Sequence, residues 1–171
     1  MAIVRSKRIN SNKRSALKNV LLISLLTGTL DAIAAILLIF KSNPKINLEF
    51  ISESVFRFIA SGAYGKGALA GGSEMVVSGL IFHYTIAFLF TTVFYQLYPT
   101  VKSAFKNKYV IGIFYGVLAW VIMNMAVVPL SKIGYHPIKL PFILSGMAAL
   151  VICLGLPIAL IADWQLKKNK K

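Results

Sequence analysis

Residues 20–40 read VLLISLLTGTLDAIAAILLIF. As a helix this run covers about 30 Å, the thickness of a bilayer's hydrocarbon core. One carboxylate, Asp31, interrupts it near the centre. A charge there costs around 2.5–3.5 kcal/mol on insertion scales, so Asp31 needs a proton, a partner or water around it. On a helical wheel Ser24, Gly28, Asp31 and Ala35 share one face, while Leu22, Leu26, Ile33 and Leu37 lie mostly elsewhere. Small and polar residues in a membrane face neighbouring helices, because lipid offers no hydrogen bonds and small residues allow close approach.

The rest of the chain repeats this pattern. The 171 residues are 57% hydrophobic, above the 45–50% usual for soluble domains. The excess falls into four blocks of about twenty residues, which predicts an all-α fold: a polytopic membrane protein built as a four-transmembrane-helix bundle. The spans are expected at about 17–40, 75–98, 109–130 and 140–162, with Pro99 closing the second. They and their connections use nearly the whole chain, so 1–171 is expected to be one transmembrane domain. A basic start, an apolar core and Ala32-Ile33-Ala34 have the elements of a cleaved signal peptide. The apolar run continues to full span length beyond them, which favours a retained helix. Residues 1–19 are polar and basic and are expected to fray up to the membrane surface.

The longest connection, 41–72, opens with the helix stop Lys41-Ser42-Asn43-Pro44. Leu48, Ile51, Val55 and Phe58/Ile59 then recur at helical spacing, with Glu53 and Arg57 four apart. An amphipathic helix over about 48–60, lying at the membrane interface, is expected. The run 61–72 carries five glycines and is expected to return the chain to the membrane. In span 3, Gly112 and Gly116 form a GxxxG pair, through which a homodimer is expected. In span 4, Gly155 and Pro157 predict a kink.

Net charge is +14. The cations cluster at span ends: Arg5, Lys7, Arg8, Lys13, Arg14 and Lys18; Lys102, Lys106 and Lys108; Lys167, Lys168, Lys170 and Lys171. The opposite ends carry only Lys41, Lys45, Arg57, Lys66, Lys132 and Lys139, partly offset by Glu49 and Glu53. The positive-inside rule then places both termini in the cytoplasm. The same lysines would meet anionic lipid headgroups at the cytoplasmic face, and the pattern leaves nucleic acid nothing further to explain. Cys153, the only cysteine, reads as a small packing residue, with no spacing for zinc. No cofactor is expected.

Depth can be compared between spans at about 1.5 Å per residue. Asp31, His83 and Asn124 fall in the same outer half of their spans, each on its helix's small-residue face. Ser145 lies at a similar depth, and Glu74 at the outer mouth of span 2. A polar ligand or proton site made of Asp31, His83, Asn124 and Glu74 is therefore expected, the alternative being a polar clasp that orders the helices. Gly65-Lys66-Gly67 follows no strand and is a poor phosphate loop. No nucleophile motif supports hydrolysis. His136, beside Pro137, reads as solvated.

The stretches His83-Tyr84-Thr85-Ile86-Ala87-Phe88, Tyr98-Pro99, Ile111-Gly112-Ile113-Phe114-Tyr115-Gly116 and Val128-Pro129-Leu130 resemble the YagU-like family of uncharacterised bacterial inner-membrane proteins. The resemblance covers about a third of the chain. It implies a bacterial plasma-membrane protein, and it transfers no catalytic residue. Three functions compete. The first is a small non-enzymatic membrane protein that binds or passes a proton or small solute. The second is an accessory protein that binds a larger membrane partner through its lysine-rich tails and amphipathic helix. The third and weakest is a lipid-acting enzyme, for which only Asp31, His83 and Glu74 offer side chains.

Overall fold

The computed structural model describes residues 2–134 and 137–168, with side chains from residue 17 onward. His136, Lys170 and Lys171 lie outside the described residues, as do the side chains of Arg5, Lys7, Arg8, Lys13 and Arg14. Five long helices carry the fold. They are α1 (Ala2–Ser42), α2 (Leu48–Tyr64), α3 (Ser73–Ala104), α4 (Lys108–Leu130) and α5 (Leu140–Lys168). All but α2 are long and apolar enough to cross a membrane.

Several boundaries differ from the sequence reading, each for a local reason. Helix α1 is not limited to the apolar run but extends back to Ala2. No Gly or Pro precedes Gly28, so nothing in the basic segment breaks the helix. Helix α3 does not close at Pro99 but continues through it to Ala104. A proline removes one hydrogen bond and bends a helix, and the flanking turns can carry it. In α4 and α5 the interior prolines, Pro129 and Pro157, act differently. Each is preceded by a π-helical segment, Met123–Val127 before Pro129 and Val151–Gly155 before Pro157. The amides of Val128 and Leu156 donate to the carbonyls of Met123 and Val151, five residues back. This widening relieves the clash a proline ring makes with the carbonyl four residues before it. The kink expected in the last span is thus a π segment.

Helix α2 is capped by Asn47, whose side chain accepts from the Glu49 amide at 3.0 Å, and it runs one turn beyond Ala60. Its Glu53–Arg57 pair forms at 2.7 Å. Gly65 ends it with φ 83°, a left-handed conformation that disfavours side chains. A short 3-10 helix, Lys66–Ala70, completes the turn into α3.

The bundle is two packed groups. Helix α1 lies on α3, with α2 across both. Helix α4 lies along α5, and α1 joins the groups by meeting the π segment of α5. Helices α3 and α4, although adjacent in sequence, touch only lightly. The packed core sits toward the end holding the C-terminus of α3 and the N-terminus of α4. It comprises Ile23, Phe94, Tyr98, Ile111, Leu154, Ile158 and small alanines. Phe94 meets Tyr115 edge-on at 4.6 Å, and the Tyr115 hydroxyl donates to the Phe90 carbonyl at 2.6 Å. Lipid gives helices no hydrophobic reason to associate, so such close contacts and small residues supply the attraction.

Two glycine contacts set the spacing. At Gly79 the backbone of α3 lies directly against the Phe56 carbonyl of α2. Gly79→Ala should therefore lift α2 off the bundle, at about 1–3 kcal/mol for overpacking. Limited proteolysis within 41–72 should speed up, and an unchanged cleavage rate would show that the crossing tolerates a methyl group. At the other contact, Gly112 and Gly116 meet Gly155, Val151 and Ala159 of the same chain. The GxxxG face expected to meet a second copy is filled by α5, so any self-association uses another face.

Candidate functional site

The half of the bundle that carries α2 is less tightly filled. Gly28 brings α1 and α3 together there, since a side-chain carbon at Gly28 would lie 3.0 Å from the Tyr84 ring. Close approach lets His83 reach across: its Nε2 lies 2.8 Å from the Gly28 carbonyl. A carbonyl only accepts, so Nε2 carries the proton, and Nδ1 is an acceptor in neutral His83 and a second donor in the cation. Phe56 of α2 and Tyr84 hold the imidazole edge-on at 6.2 and 5.4 Å. One residue further along each helix, the hydroxyls of Thr29 and Tyr84 meet at 2.8 Å.

Asp31 and His83 line two cavities at once. One, of about 500 Å³, lies under α2, between Ile51, Val55 and Ile59 of that helix and Ala32 and Ile39 of α1. The other, of about 340 Å³ and partly open, lies among α1, α3, α4 and α5. Trp120 and Asn124 of α4 and Ser145 and Gly146 of α5 complete its wall. Three of the four expected site residues, Asp31, His83 and Asn124, therefore surround one space, and Ser145 joins them. Asn124 also donates to the Trp120 carbonyl at 3.0 Å, and it lies in the π segment of α4. Among the described residues, no side chain makes a hydrogen bond or ion pair with the Asp31 carboxylate.

Glu74 stands apart. It is the second residue of α3, and its carboxylate accepts from the Gly72 amide at 2.9 Å. Free amides and a positive dipole end at a helix N-terminus account for that placement. Glu74 caps a helix and lines neither of these cavities. Among the described residues no group of three His, Cys, Asp or Glu side chains could hold a metal ion.

A second polar group lies at the opposite end of the bundle, and the sequence reading missed it. Asp163 is buried, with 2% of its surface exposed. Its carboxylate meets Lys102 at 2.9 Å, Lys167 at 3.0 Å and Lys108 at 4.0 Å, and it accepts from the Tyr98 hydroxyl at 3.3 Å. Three lysines read as lipid-facing thus converge on one acid that ties the ends of α3, α4 and α5 together. Lys167 at i+4 was the one signal visible in sequence. The other partners come from different helices.

By helix length and composition, the chain is a multi-pass helical membrane protein. No protein-family model, curated protein or solved structure matches it.

Proposed function

We propose that the chain is a small non-enzymatic membrane protein whose Asp31–His83 pair binds or relays a proton, or holds a small polar solute, inside the bundle. The observation that carries this reading is the shared wall: one carboxylate and one imidazole border both the cavity under α2 and the cavity among the spans. A carboxylate without a hydrogen-bonding side chain at membrane depth is costly unless it carries a proton or contacts water or a ligand. Histidine is suited to exchanging that proton, since its two ring nitrogens can accept and donate in turn.

The charge asymmetry supports a setting in a bacterial cytoplasmic membrane with both termini inside, as does the resemblance to YagU-like proteins. In this orientation α2, too short and too charged to span, lies at the outer interface as a cover over Asp31. The carboxylate and imidazole on the walls of these largely apolar cavities, rather than the tails, distinguish this reading from an accessory role.

Asp31→Asn tests it, because the amide keeps the shape and loses the exchangeable charge. In vesicles carrying an internal pH dye, proton flux driven by a pH step should fall at least tenfold, with helix content and melting temperature preserved. Loss of folding without a separable loss of flux would show Asp31 to be a clasp. Wild-type protein without flux above empty vesicles removes the proton-relay form, leaving solute retention to be read by native mass spectrometry.

A further inference from the structure

The light contact between α3 and α4 leaves a groove of about 510 Å³ open along the side of the bundle. Its walls are two rows of side chains spaced four residues apart. One runs along α3 from Leu89 to Val101 and on to Phe105 just past its end, and the other from Val110 to Ile122 on α4. The floor is aromatic, with Phe94 and Tyr98 buried and Tyr115 part-buried. Every lining residue is apolar or aromatic. From Leu89 to Phe105 the groove runs about 24 Å along the helix, more than one leaflet's half of an about 30 Å hydrocarbon core.

Its mouth is basic. Lys102 and Lys108 flank the end lined by Val101, Phe105 and Val110, and the exposed Lys106 lies between them in the connecting loop. Asp163 engages Lys102 and Lys108, but it also engages Lys167, and one carboxylate cannot neutralise three ammonium groups. Lys106 has no carboxylate partner among the described residues. A membrane-depth apolar channel ending in excess positive charge matches an amphiphile with a long hydrocarbon chain and an anionic head. The long chain separates this ligand from a free phosphate. The basic mouth separates it from a second copy, which would bring like charge to the same place.

We propose that the α3–α4 groove is a binding site for an anionic phospholipid, with an acyl chain along the groove and the phosphate headgroup on Lys102, Lys106 and Lys108. This site shares only the Phe90 wall with the Asp31 cavities, and neither proposal depends on the other. The headgroup lies in the leaflet at the end bearing the chain termini. Lysines near a membrane surface each add roughly a fivefold preference for anionic lipid.

Native mass spectrometry of the full chain tests this with two probes of identical chains, palmitoyl-oleoyl phosphatidylglycerol and palmitoyl-oleoyl phosphatidylcholine. Wild type should retain the phosphatidylglycerol preferentially. Lys106→Gln removes an exposed charge and leaves the Asp163 cluster intact, and it should lower that preference roughly fivefold. Val93→Trp fills the groove from an exposed wall position and should lower retention of both lipids. Equal retention of the two lipids by wild type overturns the proposal. So does a Val93→Trp variant, shown by helix content to be folded, that retains lipid as wild type does. A wild-type dimer that Val93→Trp converts to monomer without changing lipid retention assigns the groove to a second copy and also overturns it.

Discussion

Gly155→Ala should separate α4 from α5 and lower stability by about 3 kcal/mol, the top of the usual range for overpacking. A side-chain carbon at Gly155 would run into the Gly112 carbonyl, and would lie 2.8 Å from the Gly116 amide nitrogen. Both obstacles are backbone, so no rotamer change removes them. The position also lies at the end of the π segment, where the chain is already widened to accommodate Pro157. In a protein of this size about 3 kcal/mol corresponds to roughly 6–12 °C in melting temperature. Gly146→Ala is the matched control, because the added carbon meets the Trp120 side chain at 3.0 Å, and a side chain can shift. Thermal unfolding in mild detergent should show a large drop for Gly155→Ala and a small one for Gly146→Ala. Equal melting temperatures for the two variants would mean that the α4–α5 contact can open without penalty.

That contact shows where sequence reading reaches its limit. Gly112 and Gly116 were visible as a close-packing pair, and they do pack closely. The pattern states that a helix must approach, but not which one. Gly155 is the missing half, and one glycine beside a proline reads first as a kink. The cavity was more legible. Apolar helices that alternate in direction can bring Asp31, His83, Asn124 and Ser145 to one level, and polar groups on such helices turn toward their neighbours. Three-dimensional convergence then follows from periodicity. Glu74 failed the same reasoning because it lies at a helix N-terminus, where free amides compete for a carboxylate. A basic segment and Pro99 suggest breaks near the start of α1 and the end of α3, but neither forbids a continuing helix.

Asp163→Ala should destabilise the bundle by about 3 kcal/mol, through charge rather than shape. Removing one partner of a buried ion pair leaves the other uncompensated, at about 3–5 kcal/mol. The low end applies because the three lysines are unequally trapped. Lys167 is 72% exposed and can return to water, whereas Lys102 and Lys108 keep only 22% and 31% of their side-chain surface. Those two ammonium groups come from the facing ends of α3 and α4, so without Asp163 they repel across the light contact between these helices. The Tyr98 hydroxyl loses its acceptor as well. Substitutions within the cluster should therefore rank by burial. Lys167→Gln should change stability by less than about 1 kcal/mol, as exposed pairs do, Lys102→Gln should cost more, and Asp163→Ala the most. Asp163→Asn isolates the charge, because it keeps the side-chain volume; its loss should approach that of the alanine variant. Chemical unfolding in detergent at low and moderate salt measures all four. If Asp163→Ala is no worse than Lys167→Gln, the cluster is a hydrated surface set, and the joint between α3, α4 and α5 rests on the Phe94–Tyr98–Ile158 core alone.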